Sequence, residues 1–405
     1  MLPVREAVQQ MLDSIQPTAE IETVFISDAV DRILAQPIDS TVDIPSYDNS
    51  AMDGYALRAE DLSQPGSTLT LVGQALAGHS FQGELKPGEC IRIMTGAQVP
   101  ASASAVIPQE DTEVQADSPK QIRFQVSAKV GQNIRRQGEE LKIGSPVFAV
   151  GHRFTPVDIG LLASLGIAEV AVKQQLTIAL FSTGDELVQP GQPKRADQIY
   201  DSNRFVLHAM IERMGFNVLN LGLIPDNKQE IADAFMTAAA KADAIVCSGG
   251  VSVGDADYTK QVIDELGAVG FWKVAMKPGK PFAFGKVNGT WFFGLPGNPV
   301  SATVTFQQLA LPALRRLAGE REYKPMIITA EAGELLKKRP GRADFQRGIL
   351  RCENGVNRVY SAGAQGSGML SSLVHGNCLI LLSQEQGSVH PGEQVSVEVL
   401  TAPIK

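Results

Sequence analysis

A loop of small residues running into carboxylates is the stretch of this chain best suited to chemistry. Ser248-Gly249-Gly250-Val251-Ser252-Val253-Gly254-Asp255-Ala256-Asp257-Tyr258 follows the apolar run Ala244-Ile245-Val246-Cys247 and precedes a helical pattern over about 256–268. Glycines let backbone N–H groups approach a ligand, serines add hydroxyl donors, and a strand end opening into a helix N-terminus favours an anion such as phosphate. Asp255 and Asp257 add oxygen ligands of the hard kind that Mg²⁺ takes. A phosphate cradle with carboxylates reads as a metal-assisted phosphate-ester or anhydride site.

The chain is acidic, with 36 Lys+Arg against 44 Asp+Glu and a net charge of −8. An anionic ligand therefore needs positive charge concentrated locally. Residues 273–281 supply it: Lys273, Lys277 and Lys280 stand within one short segment stiffened by Pro278, Gly279 and Pro281. Alone, this segment also reads as a solvated turn. Lying between two other loop motifs of the same segment, it is expected to face the ligand.

The elements that must hold these groups alternate strand and helix patterns from 176 to about 320. Strands are expected at 176–181, 217–223, 244–247 and 291–293. Helices are expected from 201–203 onward (Phe205, Val206, Met210, Ile211 and Met214 at helical spacing), over 228–241, to 266, and from the Gly294-Leu295-Pro296-Gly297-Asn298-Pro299 turn to 317. Such repeated units imply a parallel sheet whose ligand crevice lies beyond the carboxyl ends of its strands. Every polar motif quoted above sits at such an end. Before 176, helical patterns cover about 3–15, 27–35 and 156–165 and frame a mostly β insertion. Beyond about 323, short strands and glycine turns suggest a compact β barrel or sandwich. The expected architecture is α/β and multidomain: 1–45 with 137–175, the β insertion 46–136, the α/β domain 176–322, and a C-terminal β domain 323–405.

At 405 residues the chain is too long for one ordinary core. No run of about 18 apolar residues predicts a transmembrane helix, and the N-terminus is an amphipathic helix pattern without the apolar core of a signal peptide. Cys90, Cys247, Cys352 and Cys378 are scattered, which fits reduced thiols in the cytoplasm. The acidic balance argues against nucleic-acid binding. The five histidines show no metal-ligand spacing.

Three further runs leave alternatives open. Asp48-Asn49-Ser50-Ala51-Met52-Asp53-Gly54 reads either as an Asx-type turn, which would not need Asp53, or as part of a site. Thr95 in Met94-Thr95-Gly96 either satisfies a tight turn or meets a ligand. Gly131-Gln132-Asn133-Ile134-Arg135-Arg136-Gln137-Gly138-Glu139-Glu140 reads as a self-neutralising surface, or as anion-clamping arginines with an active-site carboxylate.

Taken jointly, these runs resemble the molybdopterin molybdenumtransferase family (bacterial MoeA, and the E domain of gephyrin and its plant relatives) over essentially the whole chain. The matching segments are PSYDNSAMDGYA at 45–56, MTGAQVP at 94–100, GQNIRRQGEE at 131–140 and STGDELV at 182–188. YDSN at 200–203, SGGVSVGDADY at 248–258, MKPGKPFAFG at 276–285, GLPGNPVSA at 294–302 and GRADFQRG at 341–348 continue them in order.

The resemblance implies an elongated homodimer with four domains per chain and a site completed across the dimer interface. It implies insertion of molybdate into the dithiolene of adenylated molybdopterin, with release of AMP and with Mg²⁺ neutralising charge on phosphate. By resemblance Asp53, Thr95, Glu140, Glu186, Asp226 and Asp257 are catalytic. Asp185, Glu186, Asp226, Asp255 and Asp257 are the metal candidates. Ser248, Gly249, Gly250 and Ser252 hold the phosphate or pterin side. Lys273, Lys277, Lys280, Ser301, Arg347 and Ser367 suit molybdate, a tetrahedral dianion, while Pro296 and Pro299 shape the loop. Gly138-Glu139-Glu140 departs from the Glu-Asp of many relatives, so Glu140 reaches one methylene farther. The molybdopterin adenylyltransferase and acceptor apo-enzymes are the expected protein partners, with no nucleic acid and no membrane. Two other readings compete: an adenylyltransferase acting one step earlier, which the additional domains disfavour, and an inactive scaffold of the same family, which the set of carboxylates disfavours.

Overall fold

Apolar runs without polar alternation form strands buried on both faces, and these build the sheet that carries most of the polar motifs. In the computed structural model, which describes residues 1–115, 117–249 and 258–400, the strands are β1 (Thr177–Thr183), β2 (Asn217–Ile224), β3 (Ala244–Ser248), β4 (Gly267–Lys273), β5 (Pro281–Val287) and β6 (Thr290–Leu295), in the order β2-β1-β3-β6-β5-β4. β2, β1, β3 and β6 run parallel. Side chains alternate between two cores, as the strand repeat demands. Ala179 and Phe181 face one, where the rings of Phe181, Phe235 and Phe292 meet edge to face at 5.2 and 5.4 Å. Ile178 and Leu180 face the other, with Leu207, Ile211, Phe293 and Val304.

Helices Asn203–Arg213, Lys228–Lys241 and Tyr258–Leu266 follow β1, β2 and β3. The second starts where Asn227 Oδ1 accepts from the N–H groups of Gln229 and Glu230. The expected helix to 317 begins at Pro299 and is interrupted by a π turn, Phe306–Ala310, before Leu311–Leu317. Pro312 supplies no N–H to the turn before it. The consecutive Gln307 and Gln308 both donate to Glu398, at 3.0 and 2.6 Å.

Two sequence expectations need correction. β4 and β5 form an antiparallel extension where the sequence suggested only a basic loop. Gly267, Gly270 and Gly285 obscure the strand pattern, and they are needed because a Cβ on Gly267 or Gly285 would stand 2.1 or 2.2 Å from a carbonyl oxygen of the facing strand. Over 27–35 there is a single turn, Ile26–Asp28, and no longer helix. Asp31 adopts φ 63°, which a helix does not admit, and Ile33 and Leu34 bridge instead to Arg153 and Val172.

Five strands near the C-terminus close on themselves: Ala343–Glu353, Val356–Ser361, Ile327–Ala332, Gln394–Val399 and Cys378–Leu382, the last pairing back to the first. The barrel reading is therefore the correct one. The short strand Met276–Lys277 adds to it beside Ala343 and Asp344, so the basic segment belongs to the main chain of both domains.

The chain divides into two compact units. The α/β sheet and the barrel lie in one, together with 1–36, 150–159 and the residues from 169 onward. The other holds 37–149 and 160–168 and is built on a six-stranded sheet in which Gly54–Leu57 lies between Ala105–Pro108 and Glu89–Ile93.

Candidate functional site

At the carboxyl ends of the parallel strands the first unit opens into a pocket of about 770 Å³, where open α/β sheets take their ligands. Thr183, Gly184 and Glu186 line it after β1, Asp226 after β2, Gly249 after β3, and Pro296, Gly297, Asn298 and Ser301 after β6. The segment from Lys277 to Pro281 forms another wall, and the barrel contributes Arg342, Gln365, Gly366 and Ser367.

Part of the lining is acidic. Desolvation, then the charges of Asp185 and Glu186, push the Asp226 carboxyl above the ordinary value, with a backbone hydrogen bond from Asp185 partly countering; in turn the Asp226 N–H donates to Asp185 Oδ1 at 3.1 Å. Glu186 and Asp226 line the pocket with Asp185 beside them, a cluster of carboxyl groups that favours a hard cation. Among the described residues no set of three His, Cys, Asp or Glu is arranged as a complete metal site. Mg²⁺ needs only one or two protein carboxylates when ligand phosphate and water complete its shell, so Glu186 and Asp226 fit it in that mode.

The pocket also carries cations: Lys277, Lys280 and Arg342 line it, with Ser301 and Ser367. Lys277 Nζ lies 3.2 Å from Asp344 Oδ2 of the barrel. Gly249, at φ 93°, lies so close to β1 that a Cβ would stand 2.7 Å from the Thr183 carbonyl oxygen.

Several predicted ligands lie elsewhere. Lys273 ends β4 opposite Pro281 and is exposed outside the pocket. Pro299 starts its helix without lining the pocket, whereas Pro296 does line it. Ser248 is buried, and its hydroxyl accepts from Asn203 Nδ2 at 2.7 Å. Arg347 is 1% exposed and holds the pocket loop from behind. Its guanidinium donates to Gly366 O at 3.1 Å and to Ser372 Oγ at 3.0 Å, while its main chain exchanges bonds with the Gln365 side chain at 2.9 and 3.0 Å. Burial pushes its pKa down, with Asp344 partly countering. Arg347→Met is expected to destabilise the protein by about 2–4 kcal/mol, because buried acceptors lose their donor; an unchanged urea midpoint would return Arg347 to direct ligand binding.

The sequence reading assigned no ligand role to Gln365, Asn298, Thr183 and Tyr258 and took Arg342 only as a possible turn cap, yet all of them line the pocket. Arg342 stands in the quoted GRADFQRG run, and its place beside a strand start was the available signal. Gly250, Ser252, Asp255 and Asp257 lie outside the described residues.

Asp53 and Thr95 belong to the second unit. Asp53 Oδ1 accepts both the Thr95 N–H at 2.7 Å and the Thr95 hydroxyl at 2.6 Å. These bonds, the hydroxyl's first, lower the Asp53 pKa, with Arg92 contributing. The Arg-Arg-Gln-Gly run is largely structural: Arg136 Nη1 lies 2.5 Å from Asp48 Oδ2, and Gln137 N–H donates to Asp48 Oδ1 at 2.8 Å. Asp43 accepts from Gln137 Nε2 and Ile143 N. Glu140 is exposed in the same unit, its N–H bonded to Ile44 O.

Comparison with known proteins agrees with this arrangement. Residues 2–166 match the family described as MoeA N-terminal region (domain I and II), 179–316 match "Probable molybdopterin binding domain", and 329–400 match MoeA C-terminal region (domain IV). The molybdopterin molybdenumtransferase of Haemophilus influenzae is 48% identical over 400 residues, covering 98% of each chain. That of Nostoc sp. is 34% identical, over 95% of this chain and 89% of its own. The crystal structure of the molybdopterin biosynthesis moeA protein from Pyrococcus horikoshii superposes with a TM-score of 0.85 at 29% identity, covering 99% of this chain and 100% of that one. The chain belongs to the molybdopterin molybdenumtransferase family.

Proposed function

We propose that the protein acts in molybdenum cofactor biosynthesis as a molybdopterin molybdenumtransferase, inserting molybdate into the dithiolene of adenylated molybdopterin with release of AMP. The observation that carries this is one pocket lined both by the carboxylates Glu186 and Asp226 and by the cations Lys277, Lys280 and Arg342. Two anions, a phosphoanhydride and molybdate, enter the reaction and must be held near each other without mutual repulsion.

Lys277, Lys280 and Arg342, with Ser301 and Ser367, bind and orient the molybdate oxygens, because fixed ammonium, guanidinium and hydroxyl donors match a tetrahedral dianion. The Gly249 turn gives the phosphate or pterin side room to approach the backbone. Glu186 and Asp226 would hold Mg²⁺, which would supply neutralisation of charge on the phosphate oxygens. Asp53, kept ionised by Thr95, is a second-unit carboxylate able to accept a proton or bind a cation. In this reading the protein is a cytoplasmic homodimer, and Asp53 and Thr95 act at a partner subunit's pocket. The domains divide at 1–45 with 137–175, 46–136, 176–322 and 323–405. No helix among the described residues is long and apolar enough to cross a membrane.

The test is AMP release from adenylated molybdopterin by the purified protein with Mg²⁺, with and without molybdate. Molybdate-dependent AMP release, with molybdenum recovered on the pterin, is expected. Binding without release of AMP under either condition would overturn the transferase reading.

A further inference from the structure

We propose that Asn203 is a positioning residue whose side-chain amide pins together two rims of the pocket, the turn after β3 and the turn after β6. Its Nδ2 donates to Ser248 Oγ at 2.7 Å and to the Gly297 carbonyl oxygen, also at 2.7 Å. A carbonyl can only accept, so the Gly297 contact fixes which way the amide points, and both of its N–H groups are engaged. The amide's Oδ1 is buried with no hydrogen-bond partner among the described residues. The orientation is therefore maintained by the two donations alone.

The need for a pin follows from the topology. β3 and β6 are neighbours paired up to Ser248 and Leu295, and the Gly249 N–H adds one more bond to Leu295 O at 3.2 Å. The next described element after β3 is the helix at Tyr258, and after β6 the helix at Pro299. No ladder bond joins the described residues past the Gly249–Leu295 bond, yet Gly249 and Gly297 both line the pocket. Asn203 enters from a third connection, as the first residue of the helix after β1, and replaces the missing ladder with two side-chain bonds. Ser248 is 2% exposed, so its hydroxyl serves this pin.

The consequence for catalysis rests on the proposed transferase reading, whereas the pin itself does not. Asn203→Asp keeps the shape of the side chain, removes both N–H groups and sets a carboxylate against the Gly297 carbonyl. Hydrogen–deuterium exchange of the unliganded variant is expected to quicken about tenfold at the amides of 247–249, 295, 297 and 298, the effect of losing two neutral hydrogen bonds. Exchange in the barrel strand Cys378–Leu382 stays as in wild type. In turnover, KM for adenylated molybdopterin rises about tenfold while kcat changes little, because the loss falls on preorganised binding. Ser248→Ala, which removes one acceptor of the pin and leaves both amide N–H groups of Asn203 in place, repeats the pattern at smaller size and decides the matter if the aspartate variant does not fold. Unchanged exchange at both rims, or an even rise across the whole α/β domain with KM unaltered, would overturn the proposal. Loss of the transferase reading itself would show as wild-type protein without turnover, and the exchange comparison would still decide.

Discussion

Asp53→Asn is expected to lower kcat on the order of a thousandfold, the size of one positioned acid–base group, while the protein folds as before. The residue is only half-buried and its carboxylate bonds Thr95 alone among the described residues, so little packing is lost. Its importance lies in how it is held. Two donors converge on Oδ1 at 2.7 and 2.6 Å, which leaves Oδ2 to meet a ligand, a proton or a cation. Both bonds favour the charged form and lower the pKa. Thr95→Val, which keeps the backbone N–H and loses the hydroxyl, therefore raises that pKa toward the ordinary value. If the ionised form is the active one, activity is present above the folded pKa and is lost as pH falls through it. The acid limb of the kcat profile then moves to higher pH in Thr95→Val. A wild-type rate in Asp53→Asn would remove this carboxylate from the site, and an unmoved acid limb would remove Thr95 from control of it.

The second large effect concerns Asp226. Asp226→Asn is expected to reduce turnover about a hundredfold or more and to raise the Mg²⁺ requirement about tenfold, as loss of a direct cation ligand should. Its carboxyl lies above the ordinary value because of desolvation and then the neighbouring charges of Asp185 and Glu186. A raised carboxyl binds its proton more tightly in the folded chain than in the unfolded one. Stability is thus fully present below the unfolded value, about 3.9, and falls as pH rises through the folded pKa. Asparagine removes that decline, so the variant gains stability over wild type on the upper side of this window. A divalent cation counters the same repulsion, and its binding to wild type within the window releases protons. Calorimetry in two buffers of different ionisation enthalpy measures that release. No proton release, with Mg²⁺ dependence unaltered in Asp226→Asn, would separate Asp226 from the cation.

The parallel half of the sheet was legible because its strands are uninterrupted apolar runs and its turns carry polar residues at the carboxyl ends. Helix Lys228–Lys241 was readable to the residue, since Asn227 marks its start and the alanine-rich face its length. β4 and β5 were not, because three glycines break the strand pattern where the facing backbones approach closely. In the site, residue type identified Glu186, Asp226, Lys277 and Lys280, whose side chains reach the pocket without help. Type misled at Arg347 and Ser248. A cation and a hydroxyl in matching motifs look like ligands, but burial turns both into supports. Only the fold distinguishes an arginine whose guanidinium is enclosed from Arg342, five positions earlier on the chain and on the pocket wall.

The strand Met276–Lys277 has a mechanical consequence. Its pairing with Ala343 and Asp344, the Val300 N–H bond to Ser367 O at 3.0 Å, and the two glutamine bonds to Glu398 tie the barrel to the α/β domain at separate points. A hinge at this seam would have to break main-chain bonds before it opened. Arg342, Gln365 and Ser367, which the barrel brings to the pocket, are thus anchored to the α/β domain by backbone bonds as well as side-chain ones.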